Sequence, residues 1–221
     1  TQRYPKAGTE NPKVRLGVIE LNNPKVKWIK LEPFEYLCRV KWLPGNRRLS
    51  IQTMNRAQDK LDLYFVDRAT GKNIEKIITE TDDGWVNIND DLYFLENSFI
   101  WQSERDGYAH LYQFSYNGKL VNQITSGDWA LRSSGGPFWL RQSVVNIDEK
   151  EEEIYFTSLK KSSIERHLYR SSIDGSNMEK ISDQKGVHKI NFSNNGNFYL
   201  DIHSDASSPP TLVLYKNDGK K

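Results

Sequence analysis

The chain has 221 residues, with 31 Lys and Arg against 29 Asp and Glu and a net charge of +2. This balance gives no global field to attract nucleic acid or an anionic membrane. Aromatic residues form 12% of the sequence, which excludes a disordered chain and favours strands. The single cysteine, Cys38, excludes an intrachain disulfide and any zinc site built from cysteines. We expect no nucleic-acid partner and no cofactor.

The N-terminal part begins at Thr1 without an initiator methionine and without the apolar segment of a signal peptide. We therefore expect a piece cut from a longer protein. No apolar run approaches the roughly 18 residues of a membrane span, so we predict none in this chain. Two strands are predicted first, over residues 14–21 and 26–31, with a turn at Asn22, Asn23 and Pro24.

Four longer units follow, in which short apolar and aromatic runs alternate with turn residues. The predicted strands cover 36–42, 48–54, 61–66 and 74–78, then 92–95, 98–103, 109–114 and 120–125, then 144–147, 153–157, 167–173 and 178–181, and finally 187–192, 197–203 and 211–216. No segment keeps apolar residues at spacings of three and four, so we predict no helix.

A short segment that contains Leu-Tyr recurs in each unit and is followed by a turn with glycine. Its tyrosines are Tyr64, Tyr112, Tyr169 and Tyr215, at intervals of 48, 57 and 46 residues. The longest interval contains an insert at 133–137 that carries glycine and proline. Blades of β-propellers repeat at about 40 to 50 residues. The sequence therefore predicts an all-β fold, a partial β-propeller of about four four-stranded antiparallel blades.

The predicted domain organisation is one β-propeller fragment over residues 1–221. Its parts are a half blade at 1–33 and blades at about 34–80, 81–130, 131–184 and 185–221.

Two sets of residues could carry chemistry, although each has a simpler explanation. Asp201, His203 and Asp205 alternate along one strand and could bind a divalent metal. Alternation on a solvated strand face gives the same spacing by chance. Ser133 and Ser134 lie in the string nearest to a serine-hydrolase elbow, but its leading glycine is missing, which favours an inter-blade loop.

Three further features favour structural explanations. His110 and His167 both precede Leu-Tyr, which indicates a structural role such as hydrogen bonding to a neighbouring blade. The charged segment 103–107 could line a central tunnel, but a hairpin braced by Glu104 and Arg105 is the favoured alternative, with Asp106 bonding backbone amides. Asn191 begins a glycosylation acceptor that we expect within or beside a strand.

Three motifs resemble the dipeptidyl peptidase IV-like enzymes of the prolyl oligopeptidase family and occur in the family's order. They are Tyr4-Pro5-Lys6-Ala7-Gly8-x-x-Asn11-Pro12, Ser103-Glu104-Arg105-Asp106-Gly107-Tyr108-x-His110-Leu111-Tyr112 and Gln123-Ile124-Thr125-Ser126-Gly127-Asp128-Trp129. The resemblance spans nearly the whole chain.

The resemblance implies a bacterial, secreted parent, periplasmic or extracellular, that removes Xaa-Pro or Xaa-Ala dipeptides from peptide N-termini. Its serine, aspartate and histidine would lie on an α/β-hydrolase domain beyond Lys221. The propeller would cap that domain, gate access and help to bind the peptide substrate. A homodimer of the parent is compatible with this interpretation. The isolated chain is expected to be inactive.

Few family residues can be carried over to this sequence. The paired glutamates that grip the substrate's amine precede the tyrosine that matches Tyr4, so they lie outside the chain. The run 151–153 lacks their aromatic context, and Gly84-Trp85-Val86 is not followed by the family's arginine. We therefore assign no catalytic, cofactor-binding or metal-binding residue.

Two other functions remain open on the sequence. The first is a stand-alone β-propeller that acts as a protein-interaction platform, because propellers host many unrelated functions. The second is a non-peptidase hydrolase or a sugar-binding propeller.

Overall fold

A computed structural model describes residues 8–72, 74–88, 90–133 and 142–220. Over these ranges the chain forms five antiparallel sheets and one short 3-10 turn at Pro44–Asn46, with no α-helix. The all-β prediction is confirmed. Within the same ranges, no helix is long and apolar enough to cross a membrane. The chain separates into two compact units, residues 1–88 and 89–221, which are described in turn.

The first unit holds a two-stranded and a four-stranded sheet. Their strands are β1 (Gly17–Glu20) and β2 (Asn23–Trp28), and β3 (Tyr36–Trp42), β4 (Arg48–Met54), β5 (Lys60–Asp67) and β6 (Ile74–Thr81), the last four pairing in chain order. Its core contains Val18, Ile29, Leu49, Ile51, Tyr64 and Val66, so apolar residues of both sheets pack together.

The second unit holds three sheets, each with its strands in chain order. The strands are β7 (Leu92–Phe94), β8 (Ser98–Ser103), β9 (His110–Ser115) and β10 (Leu120–Gln123); β11 (Val144–Asp148), β12 (Glu153–Ser158), β13 (His167–Ser172) and β14 (Glu179–Lys180); and β15 (Val187–Phe192), β16 (Phe198–Ser204) and β17 (Thr211–Lys216).

Several predicted strand boundaries differ from the structure by a few residues, and two of the differences have a clear physical reason. The first hairpin turns at Leu21 and Asn22, and β2 already begins at Asn23, so Pro24 lies inside a strand. Proline is tolerated there because, among the described strands, β2 pairs with β1 alone, which leaves its other edge without ladder hydrogen bonds. The fourth strand of the third blade is shorter than the predicted 178–181, because only Glu179 and Lys180 pair with β13.

The core of the second unit is layered, because successive residues of its strands point to opposite faces. On β12, Ile154 and Phe156 belong to a cluster shared with the sheet β7–β10, whereas Tyr155 belongs to a cluster shared with β15–β17. On β13, Tyr169 and Leu168 divide in the same way. The middle sheet is therefore packed on both faces, as in stacked propeller blades.

The glycine turns bring neighbouring sheets close together. Gly175, in the turn between β13 and β14, has a φ of 89°, and a Cβ built there would lie 2.8 Å from the carbonyl oxygen of Gln123 on the preceding sheet. Asn122 strengthens this contact by donating from Nδ2 to the carbonyl oxygen of Ile173 at 2.9 Å. Gly71 has the same role in the first unit, where its Cβ would lie 3.1 Å from the carbonyl oxygen of Trp28.

Candidate functional site

Two buried histidines occupy equivalent places in consecutive blades. Nδ1 of His110 lies 3.0 Å from Oγ1 of Thr125, and Nδ1 of His167 lies 3.0 Å from Oγ of Ser182. Each hydroxyl also accepts a backbone N–H, from Leu111 or Leu168, at 3.0 Å. The histidine thus fastens the end of the fourth strand to the third strand of its own blade. The sequence suggested a bond to a neighbouring blade, and the hydroxyl partners correct that detail.

The second histidine has the connectivity of a hydrolytic triad, because Nε2 of His167 lies 2.9 Å from Oε2 of Glu165. Ser182, however, is only 5% exposed. In the preceding blade a backbone carbonyl, that of Gly127, takes the place of the carboxylate at 2.9 Å from His110. A nucleophile must reach its substrate. The burial and the repetition make this a structural motif.

The possible metal ligands do not converge. Asp201 is buried, and its Oδ2 lies 2.7 Å from Nδ1 of His188. β16 ends at Ser204, so Asp205 lies in the following loop, where its Oδ1 accepts from the amide of Ser207 at 2.7 Å. Among the described residues, no group of three or more His, Cys, Asp or Glu side chains could hold a metal ion.

The charged segment after β8 is braced by its arginine. Arg105 donates from Nε to Oγ of Ser103 at 2.9 Å and lies over the rings of Tyr112 and Phe114. Asp106 accepts from Nε2 of Gln123 at 2.6 Å. These contacts tie the turn to β9 and β10 of its own sheet. The predicted hairpin bracing is therefore present through Arg105.

The remaining sequence candidates are dispersed. Trp85 is 54% exposed in a loop where Asp82 accepts the amides of Gly84 and Trp85. Asn191 lies within β15. Burial raises the pKa of the Cys38 thiol to about 11, which keeps the thiol protonated at neutral pH. The serine string beyond Ser133 lies outside the described residues, as do residues 4–7 of the first motif.

The described end of the first motif lines a groove of about 650 Å³ between residues 8–14 and 31–35. Asn11 donates from Nδ2 to Oε1 of Glu35 at 2.7 Å and lies 3.1 Å from the hydroxyl of Tyr36. Arg56 pairs with the same carboxylate at 3.0 Å. Asn11, Glu35 and Arg56 are thus bound to one another, which indicates that the motif anchors the segment beside the start of β3.

A buried carboxylate that sequence reasoning missed joins two blades. Asp91 is fully buried and accepts from the amide and hydroxyl of Ser143 at 2.8 and 2.6 Å and from the amide of Val144 at 3.1 Å. Burial raises its pKa to about 6, against the effect of these hydrogen bonds. Tyr93 donates to the same carboxylate at 3.2 Å. No sequence signal distinguishes Asp91 from Asp90, because its partners lie 52 residues away.

Comparison with known proteins gives a consistent result. The family model described as the dipeptidyl peptidase IV (DPP IV) N-terminal region matches residues 1–210. A probable dipeptidyl peptidase 4 of Emericella nidulans is 26% identical over 94% of the chain, and one of Aspergillus fumigatus is 28% identical over 97%. The chain covers 28% and 30% of these two proteins.

Two solved structures have the same fold. Dipeptidyl peptidase 4 of Porphyromonas gingivalis matches 98% of the chain with a TM-score of 0.86 and 25% identity, and the chain covers 30% of it. A putative dipeptidyl aminopeptidase IV of Bacteroides ovatus matches 100% of the chain with a TM-score of 0.83 and 21% identity, and the chain covers 33% of it. The chain thus spans about a third or less of its relatives.

Proposed function

Because the chain belongs to the dipeptidyl peptidase IV N-terminal region family, we propose that it is the propeller portion of a serine exopeptidase. This enzyme releases Xaa-Pro and Xaa-Ala dipeptides from peptide N-termini. The observation that carries the proposal is the match over residues 1–210, which includes all three motifs of the sequence. The likeness to the Porphyromonas gingivalis enzyme over 98% of the chain supports it.

The described residues support a division of labour within the enzyme. His110 and His167 are hydrogen-bonded to buried hydroxyl groups. The possible metal-binding side chains among the described residues do not come together. The nucleophile, acid and base lie, in this proposal, on an α/β-hydrolase domain that follows Lys221, as the resemblance to dipeptidyl peptidase IV-like enzymes implies. The propeller caps that domain, gates the entry of peptides and contributes to substrate binding. The chain's partners are its own hydrolase domain and peptide substrates, and a second copy of the enzyme is a further candidate.

The place of action is part of the same proposal. The enzyme works outside the cytoplasm of a bacterium, in the periplasm or beyond the cell. Support for a bacterial source comes from the solved relatives of Porphyromonas gingivalis and Bacteroides ovatus, whereas the curated relatives named above are fungal. Cell fractionation followed by an activity assay of each fraction tests it, and activity confined to the cytoplasm would contradict it.

The test of the activity uses the intact enzyme and chromogenic Gly-Pro and Ala-Ala substrates. We expect hydrolysis of both, no hydrolysis of acetyl-Gly-Pro substrate, which lacks the free amine, and loss of activity with a serine-directed phosphonylating reagent. Mass spectrometry should find the modified serine outside residues 1–221. The proposal fails if the intact protein does not release dipeptides or if the reagent modifies a serine of this chain.

A further inference from the structure

Two arginines flank the C-terminal end of β12 in the second unit. Leu131 forms an isolated bridge with Ser158, and Ser158 pairs on its other side with His167. The adjacent residues, Arg132 and Arg166, therefore lie on opposite sides of the same strand end. The backbone at each arginine is held by a hydrogen bond. The amide of Arg132 donates to the carbonyl oxygen of Thr157 at 3.0 Å, and the amide of Arg166 donates to the carbonyl oxygen of Gly186 at 2.9 Å.

Neither arginine side chain has an ion pair or a hydrogen bond within the described part of the chain. Arg166 is half-buried, and its Nε is fully buried without a hydrogen-bond partner. A buried donor without a partner is unfavourable. Burial and the positive charge of Arg132 both lower the pKa of the Arg166 guanidinium. The fold thus holds two like charges near each other without neutralising them.

The surroundings add positive charge and offer no spare carboxylate. The nearest acid along the chain, Glu165, is bound to Nε2 of His167 at 2.9 Å. Lys161 and Lys185 are close enough to contribute to the lowered pKa of that glutamate, after the hydrogen bond from His167. Positions outside the described ranges contain no Asp or Glu in the sequence. No acidic side chain there can neutralise the two arginines.

We propose that Arg132 and Arg166 form a binding site for an oxyanion, a carboxylate or a phosphate group. The planar guanidinium presents several N–H donors in a fixed fork that matches both oxyanions. A bound oxyanion would offset the positive charges, a carboxylate one of them and a doubly charged phosphate both, and would give the buried Nε–H of Arg166 an acceptor. Binding of an oxyanion by these two arginines does not require peptidase activity.

The test measures binding of inorganic phosphate and of acetate to the intact protein at pH 7 and constant ionic strength. Isothermal calorimetry gives the affinity, and the Nε–Hε signal of Arg166 in ¹⁵N spectra reports the contact. We expect saturable binding of at least one of the two anions. Arg166→Gln and Arg132→Gln should each weaken it about tenfold or more. Arg47→Gln, an exposed substitution with the same change of charge in the first unit, should leave it unchanged.

The outcomes separate the two ligand sources. Saturation by phosphate alone supports a phosphate group as the ligand, and saturation by acetate supports a carboxylate. Circular dichroism shows whether each variant is folded. Arg132→Gln is the site variant whose fold we expect to be least disturbed, because Arg132 is exposed. If neither anion saturates, or if the Arg47→Gln control loses affinity as much as the two site variants, the proposed site is wrong.

Discussion

The fourth and the last of the five described sheets bury their strands β12 and β16 differently, although both strands are apolar. On β12, residues 154–158 are all buried, because sheets pack on both faces. On β16, exposed and buried residues alternate, and Phe198, Leu200 and Ile202 are between 39% and 42% exposed. Burial of a propeller strand therefore depends on the sheets that pack against it, since β12 and β16 are similarly apolar.

The largest expected effect contrasts two leucines of these sheets. Leu168 on β13 is fully buried in the cluster between the two sheets, whereas Leu200 on β16 is 39% exposed. Leu168→Ala should lower the free energy of unfolding by about 3 kcal/mol, because it removes buried methyl groups and leaves a cavity. Leu200→Ala should cost less than about 1 kcal/mol. Urea unfolding of both variants measures the difference, and equal losses would contradict the described contrast.

A second variant tests the polar link between the blades β7–β10 and β11–β14. Asp91→Ala should cost about 2 to 3 kcal/mol at pH 7, because the buried amides of Ser143 and Val144 lose their acceptor. Asp128→Ala, at an exposed position, is the matched control and should change stability by less than about 0.5 kcal/mol. Urea denaturation curves provide the values. A loss at Asp91 no larger than the control's would show that the carboxylate does not link the blades.

The pH dependence of Asp91 sharpens this test. Its pKa is about 6 in the fold, above the ordinary 3.8, so the folded state favours the protonated form. The contribution of this group to stability is therefore greatest below pH 3.8 and declines as the pH rises through 6. We expect the stability lost on Asp91→Asn to decrease as the pH rises from 3.8 through 6 and to be constant well above it. A difference that varies only above pH 7 would contradict the assignment.

The close approach of neighbouring sheets predicts a smaller effect at a glycine. Gly175 and Gly107 both have a positive φ, but only Gly175 has backbone atoms where a Cβ would lie. Alanine at Gly107 should cost about 1 kcal/mol of conformational strain. Alanine at Gly175 should cost about 2 kcal/mol, because the carbonyl oxygen of Gln123 must move as well. Thermal unfolding of the pair is the measurement, and a Gly107 variant that loses more would refute the packing explanation.

The smallest effect concerns the buried pair on the last sheet. Burial disfavours charge on His188, but the hydrogen bonds to Asp201 and to the carbonyl of Gln184 outweigh it and raise the pKa of the ring. The protonated pair stabilises the fold fully below pH 6.5, and this contribution is lost as the pH rises through the folded pKa. The stability advantage of the native chain over Asp201→Asn should therefore shrink as the pH rises above 6.5. An advantage that grows over this interval would reverse the predicted sign.

The sequence alone predicted the strands and their turns because these depend on residues close together in the chain. Alternating apolar runs and the glycine after each Leu-Tyr were sufficient for the order of elements and for blade-like units. The structural role of His110 was predictable from its repetition at His167. The hydrogen-bond partners of the two histidines were not predictable, because the histidine of a His-Leu-Tyr segment can bind any nearby hydroxyl, carbonyl or carboxylate group.

Only the tertiary structure decided which faces are covered and which polar groups are buried. Asp91 meets Ser143 across 52 residues, and Arg132 meets the charge of Arg166 across the end of β12. Such contacts depend on how sheets stack, and stacking requires only apolar faces of suitable size, which many sequences share. The local pattern therefore determines the blades, whereas the contacts between blades determine the chemistry of individual side chains.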